Sequence, residues 1–212
     1  MALIKTPPAA RETSRRAPAT EQASRRDCAY LLQQLGDPNP EARRWAARDL
    51  VDCAGVSASL VHHLASETES SVREVILTTL VRVGDSQAVA GLVDCMRSED
   101  ASLRNEAIEA LKQLPTEVAP IMRHLLSDED SDMRIFAVNV LESLRHPLVE
   151  TWLADVIQRD PHVNVCATAV DLLGEVGSRE VLEPLLRLKD RFAREPYIQF
   201  AADLAIKRII EG

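Results

Sequence analysis

Aromatic residues are scarce in this sequence, at 3% of 212 residues, although 46% of the residues are hydrophobic. A core of this composition must be built from Leu, Val, Ala and Ile, which suits stacked helices better than an aromatic-rich β-sandwich. Apolar runs of the roughly 20 residues needed to span a bilayer are missing, so we expect no membrane segment. Residues 1–10 lack a continuous apolar stretch, so we expect no secretory signal there.

Cysteine is sparse and lacks metal-binding spacing. Cys28, Cys53, Cys95 and Cys166 form no CxxC pair. A chain of this length does not need disulfides to fold, so we expect buried or idle thiols and a cytoplasmic protein.

Signatures of catalysis, cofactors and metals are also missing. The sequence contains no Gly-rich phosphate loop, no GxSxG and no HExxH. Asp128, Asp130 and Asp132 resemble the start of a calcium loop, but Met133 and Asn139 stand where an EF-hand needs glycine and glutamate. We therefore expect no catalytic, cofactor or metal site.

Histidine and cysteine recur at one place in the repeats described below. His63, Cys95 and His124 fall near the ends of successive first helices. Packed helices lie roughly 8–10 Å apart, whereas zinc ligands lie about 2.0–2.3 Å from one ion. A shared metal site is therefore not expected.

Charge is unevenly distributed. Residues 1–26 hold six Lys/Arg and two Glu, a net charge of +4. Because the whole chain has a net charge of −8, residues 27–212 carry −12. This N-terminal segment is rich in Ala, Pro, Arg, Ser and Thr, and we expect a disordered basic tail over 1–26 and a folded domain over 27–212. An acidic body argues against binding to a nucleic-acid backbone.

The body of the chain repeats. Apolar or small anchor residues, each followed eight positions later by Leu or Ile, recur every 30–33 residues: Ala42, Val72, Leu103, Met133, Val165 and Ile198. Each anchor opens a helical stripe, an earlier apolar cluster predicts a preceding helix, and polar turns join the two. Gly84, Gly174 and Gly177 stand where hairpins should end. The sequence predicts an all-α solenoid of about six helical hairpins.

These motifs resemble the HEAT repeat family, in particular short bacterial HEAT repeats and phycobilisome lyase HEAT-like repeats. The resemblance rests on Leu35-x-Asp37 followed by Ala42-Arg43-x-x-Ala46-x-x-x-Leu50, which later units repeat over roughly residues 28–210. It implies an armadillo-like superhelix and says little about function, because such repeats serve bilin lyases, adaptors and scaffolds alike.

An arginine follows the anchor in the first four units. We call this set the arginine ladder: Arg43, Arg73, Arg104 and Arg134. The resemblance implies a structural role, and a guanidinium can satisfy helix-end carbonyls and a carboxylate together. Cys166 and Gln199 occupy the same position in the last two units, and a role for Cys166 as a modified or chromophore-handling thiol stays open. A phosphate-binding role for the arginine ladder also stays open.

Partner-binding residues are expected on the second helices, which in HEAT solenoids usually line the concave side. Positions six and ten after each anchor should point outward from the core, and their row runs from mixed charge to acidic. The candidates are Arg48, Asp52, Arg82, Glu109, Asn139, Asp171 and Glu175. An ordinary solvated face is an equally good interpretation.

Three functions fit the sequence. A non-catalytic protein-interaction scaffold or regulatory adaptor fits the repeats and the lack of catalytic motifs. A bilin lyase-type chromophore-handling subunit would need aromatic or thiol groups on the second helices. A solenoid of the DNA-alkylation-repair type would need a Lys/Arg stripe with Trp or Tyr, whereas Trp45 and Trp152 stand at positions that favour helix packing. The oligomeric state and the partner stay open.

Overall fold

The computed structural model describes the backbone of residues 19–211 and the side chains of residues 27–211. Every regular element in this part of the chain is helical, and the fold is an α-solenoid of HEAT-like hairpins. Each hairpin pairs a first helix with a second helix, and six such units follow one another. None of the described helices is long and apolar enough to cross a membrane.

The first helices are α1 (Ala19–Gln34), α3 (Ser57–Leu64), α5 (Ser86–Cys95), α7 with α8 (Pro115–Val118 and Met122–Leu125), α10 (Val149–Arg159) and α12 (Leu182–Arg191). The second helices are α2 (Pro40–Asp49), α4 (Ser70–Val83), α6 (Ala101–Leu111), α9 (Ser131–Leu141), α11 (Val163–Val176) and α13 (Pro196–Glu211). Short 3-10 segments, Leu50–Asp52, Ala119–Ile121 and Arg179–Val181, follow α2, join α7 to α8 and precede α12.

The anchors mark the register of the solenoid. Each anchor is the third residue of its second helix, and all are buried except the half-buried Ala42. Neighbouring second helices are also joined by a hydrogen bond, which the Thr79 hydroxyl in α4 donates to the carbonyl of Ala47 in α2, at 3.0 Å. The solenoid and its period are thus as the sequence predicts.

The N-terminal boundary differs from the expected one. Helix α1 begins at Ala19 and includes residues 19–26, which composition assigns to the tail. Residues 1–18, the rest of that segment, lie outside the described part of the chain.

Two cysteines contradict the prediction of idle thiols. Cys28 in α1 and Cys53, which follows the 3-10 segment after α2, form a disulfide with their Cα atoms 5.9 Å apart. The spacing of 25 residues gave no sign of this pair, because the hairpin brings them together. Cys95 and Cys166 are free and buried.

Proline and glycine shape the hairpin ends. Pro120 has no amide hydrogen and interrupts the first helix of unit four, which therefore splits into α7, a 3-10 turn and α8. Gly84 ends α4 with φ at 57°, the left-handed conformation that glycine adopts most easily. Gly177 likewise follows the last residue of α11, but in an extended conformation with φ at −75°, whereas the prediction was wrong for Gly174, which lies inside α11.

The fifth position after the anchor distinguishes interior repeats from the last one. In five units this residue is apolar and at most 7% exposed: Ala47, Leu77, Ile108, Val138 and Val170. In the last unit it is Asp203, whose side chain is 63% exposed and pairs with Lys189 of α12. A further repeat packed on this face would have to bury that charge.

The tight contact between the first helices α3 and α5 gives one testable prediction. A Cβ added to Gly91 in α5 would lie 2.2 and 2.6 Å from the two γ carbons of Val61 in α3. We expect Gly91→Ala to lower the free energy of unfolding by about 1–2 kcal/mol, since overpacking outweighs the gain in helix propensity. Urea denaturation measures the change.

Two variants control this prediction. Gly36→Ala adds the same methyl group where only the carbonyl of Gln33 lies near, at 3.6 Å, and should cost less. Combining Gly91→Ala with Val61→Ala should cost less than the sum of the two single changes. Additive costs would mean that the two side chains do not meet.

Candidate functional site

In each of the first five turns, a polar side chain at the same position binds the backbone just before the second helix begins. Five residues before each anchor stand Asp37, Glu67, Ser98, Asp128 and Asp160, and we call this the turn position. Each side chain accepts a hydrogen bond from the backbone amide two residues later, at 2.8–3.1 Å. This local bond fixes the chain direction before the helix begins.

Arg43 and Arg134 link each turn to the following repeat. Arg43 donates two bonds to the Glu67 carboxylate, at 2.7 and 2.8 Å, and another to the carbonyl of Asp37 in its own turn, at 2.9 Å. Arg134 repeats this pattern with Asp160, at 2.6 and 3.0 Å, and with the carbonyl of Asp128. Each guanidinium thereby ties the turns of two neighbouring units together.

The other ladder arginines lack such a turn carboxylate. Ser98 occupies the turn position that faces Arg73, and Arg73 instead binds Asp100 and Glu106, at 2.7 and 3.2 Å. Arg104 donates hydrogen bonds to the carbonyls of Ser98 and Glu99. The carboxylate of Asp128 in the next unit binds Arg97 and not Arg104. The ladder therefore has two complete and two partial rungs.

Arg191 from α12 stands in for the arginine that unit five lacks. Its guanidinium donates to the carbonyls of Gln158 and Asp160, at 2.6 and 2.9 Å, and lies 3.1 Å from the Cys166 sulfur. Gln199 similarly donates to the carbonyls of Lys189 and Phe192 in unit six. The sequence did not predict this role of Arg191, because the residue lies in the next hairpin and not at the position after an anchor.

Burial and pairing set the pKa values in this row. Hydrogen bonds from Arg43 hold the pKa of Glu67 at about 2, against an ordinary 4.5. Burial raises the pKa of the Cys166 thiol to about 11, despite the nearby Arg191. A thiol in that state is protonated at neutral pH and is a poor nucleophile.

The second helices carry two acidic grooves on their surface. Groove one lies between α4 and α6, has a volume of about 540 Å³, and combines Glu74, Glu106 and Glu109 with apolar atoms of Leu77 and Val81. Groove two lies between α9 and α11, at about 250 Å³, and is lined by Val138, Asn139, Glu142, Thr168, Asp171, Leu172 and Glu175. No Lys or Arg lines either groove within residues 27–211.

One lysine separates the two grooves. The Lys112 ammonium binds Glu109 of its own helix and Glu142 of α9, at 2.9 and 2.6 Å, and its side chain is only 13% exposed. Its charge is thus paired with one carboxylate of each groove, and Arg73 pairs with Glu106 of groove one. Within residues 27–211, Glu74 in groove one and Asp171 and Glu175 in groove two have no Lys or Arg partner.

The candidate partner-binding residues are distributed unevenly. Glu109 lies in groove one, and Asn139, Asp171 and Glu175 lie together in groove two. Arg48, Asp52 and Arg82 are exposed but line neither groove. Sequence reasoning missed Glu74, Glu106 and Glu142, which stand at other positions of their helices.

Aromatic side chains depart from expectation at one end. Trp45, expected to pack between helices, is 46% exposed and lies under the Arg48 guanidinium, 3.9 Å from its ring centre. Trp152 is buried and stacks on His146. At the other end of the second-helix row, the Tyr197 hydroxyl donates to Asp171, and Phe200 is 66% exposed.

Among the described residues, no group of three or more His, Cys, Asp or Glu side chains is placed to hold a metal ion. His63 binds Glu67 at 3.1 Å, Cys95 is buried, and His124 is exposed. The Asp128–Asp132 segment forms the turn and the first residues of α9.

The repeats match a family model of HEAT repeats over residues 28–112, 96–162 and 118–207, which together span most of the chain. The chain belongs to the HEAT repeat family. No curated protein matches this sequence.

Solved HEAT-type structures resemble the fold at low identity. The archaeal HEAT-like repeats protein from Thermococcus onnurineus NA1 is 18% identical, with a TM-score of 0.46 over 91% of this chain and 90% of that one. Human deoxyhypusine hydroxylase in complex with glycerol is 16% identical, at 0.46 over 87% and 85%. The CpcE–CpcF complex of phycocyanin lyase from Nostoc sp. PCC7120 is 17% identical, at 0.36 over 96% and 99%.

The Arg43–Glu67 pair generates a pH prediction. The depressed pKa of Glu67, about 2 against 4.5, corresponds to about 3 kcal/mol in favour of the folded state near neutral pH. Glu67→Gln should lower the free energy of unfolding by about that amount at pH 7, as urea denaturation will measure. The wild type's advantage should be constant above pH 4.5 and should vanish as the pH falls toward 2.

Asp49→Asn is the matched control, because it breaks the exposed pair with Arg48. It should cost less than about 1 kcal/mol at any pH. A Glu67→Gln effect of the same small size, or one that persists unchanged at pH 2, would contradict the assignment.

The role of Arg191 in place of the ladder arginine that unit five lacks can also be tested by measuring stability. Arg191→Met leaves the carbonyls of Gln158 and Asp160 without this donor, and we expect a loss of about 1–2 kcal/mol. Arg187→Met, which removes an exposed pair with Glu183 in the same helix, should change stability by less than about 0.5 kcal/mol. Equal effects would refute the special role of Arg191.

Proposed function

We propose that this chain is a non-catalytic scaffold or regulatory adaptor that binds a protein partner along the surface of its second helices. The observation that carries the proposal is the pair of acidic grooves between α4 and α6 and between α9 and α11. Both have apolar floors and carboxylate rims. Such a surface favours an extended segment with lysine or arginine side chains over one of neutral composition.

The spacing of the grooves defines the partner further. They lie two helix steps apart, and neighbouring helices pack roughly 8–10 Å apart, so their centres are about 16–20 Å from each other. An extended chain advances about 3.3 Å per residue, so basic side chains about five or six residues apart would reach both grooves. Between the grooves, Lys112 is paired with Glu109 and Glu142.

The other two functions have weaker support. A chromophore-handling thiol would have to be accessible, whereas both free cysteines among residues 27–211 are buried. A nucleic-acid backbone would meet carboxylates rather than lysine or arginine in both grooves.

Selection from a library of random peptides of about 12 residues, long enough to span both grooves, tests the proposal. We expect enrichment of peptides with two basic clusters and binding that weakens as salt rises. Combining Glu74→Lys with Glu175→Lys, one change in each groove, should weaken the selected peptides at least about tenfold in fluorescence polarisation.

The control carries the same charge change on the first helices. Glu117→Lys with Asp190→Lys alters exposed residues of α7 and α12 and should change affinity less than about twofold. Peptides without basic residues, or equal weakening by both pairs of changes, would overturn the proposed binding surface.

A further inference from the structure

Residues 27–34 of α1 bury little of their side-chain surface. Among its side chains from Asp27 onward, Tyr30 and Leu32 are exposed, and Cys28 and Leu31 are half-buried. No ion pair or side-chain hydrogen bond joins residues 27–34 to any other residue between 27 and 211. Its packing partners are α2 and the 3-10 segment Leu50–Asp52.

Interior first helices are held far more firmly. Helix α10 buries Val149, Trp152, Leu153, Val156 and Ile157 and packs against both α11 and α12. Helix α1 packs on α2 and the 3-10 segment of its own hairpin, and beside α3 it only lines an open groove, through Leu32 and Gln33. Leu35, just after its last turn, is the first buried residue among the described side chains.

The disulfide supplies the attachment that packing does not. It joins Cys28 in the middle of α1 to Cys53, which is 8% exposed at the end of the 3-10 segment. Without it, residues 27–35 would be held only by apolar contacts of the half-buried Cys28 and Leu31 and the buried Leu35. Helix α1 packs on the 3-10 segment Leu50–Asp52, in which Leu50 is fully buried.

We propose that the Cys28–Cys53 disulfide is a redox latch: its reduction releases α1 from unit one and uncovers the N-terminal end of the solenoid. The latch acts through a dithiol reductant. A thiolate of that reductant attacks the more exposed sulfur, Cys28, and Cys53 leaves as a thiolate that takes up a proton. The second thiol of the reductant then displaces Cys28, so two cysteine thiols form as the reductant becomes a disulfide.

The latch is selective because the remaining thiols are shielded. Cys95 lies in α5 and Cys166 in α11, and both are buried in the core, so neither is placed to exchange with the pair. The redox state would thus control whether α1 covers unit one.

Alkylation under denaturing conditions, read by mass spectrometry, first establishes the bond in the full chain. Protein purified without reductant should expose two thiols, Cys95 and Cys166, and reduced protein all four. Four free thiols in the unreduced protein would overturn the proposal at this step.

Hydrogen exchange then tests the release. Reduction with dithiothreitol should accelerate exchange over residues 27–36 at least about tenfold, while α5 and α6 stay protected. Unreduced Cys28→Ser protein should behave like reduced wild type, and Cys28→Ser with Cys53→Ser should not respond to dithiothreitol. Unchanged exchange over residues 27–36 on reduction would refute the latch, whereas protected α5 and α6 exclude general unfolding as the cause.

Discussion

No hairpin in this chain is large enough to hide its own apolar stripe, and every other feature depends on stacking against the next hairpin. The fifth position after the anchor holds a buried apolar side chain in each of the first five units, from Ala47 to Val170. Asp203 breaks the series at the last unit. Stability therefore accumulates between neighbours, and the two ends, α1 and α13, are held from one side only.

Stacking brings backbone carbonyls of the turns next to the following repeat, and the guanidinium groups satisfy them. Arg43 and Arg134 show the full arrangement, in which one side chain caps its own turn and pairs with the turn carboxylate of the next unit. This row occupies the turns, whereas the acidic grooves lie on the second helices. Cohesion and the proposed recognition meet at three carboxylates: Glu106 of groove one binds Arg73, and Glu109 and Glu142, one in each groove, bind Lys112.

Much of this could be predicted from sequence, because the anchor period and the apolar stripes are local patterns. The choice among partners could not be predicted, since it depends on which side chains meet across the stack. Arg73 faces Ser98 and turns to Asp100, and Arg191 arrives from another hairpin. The Cys28–Cys53 bond and the exposure of Trp45 have the same origin: each depends on how hairpin one closes and where the row ends.

The borrowed guanidinium in unit five has a consequence for how this solenoid can be rearranged. A repeat that supplies its own arginine is a portable module, which can be duplicated or deleted as long as its neighbours present apolar faces. Unit five is not portable, because the carbonyls of Gln158 and Asp160 are satisfied by Arg191 of unit six. The last two hairpins are therefore coupled through Arg191, and a deletion of unit six would leave these carbonyls of unit five without their donor.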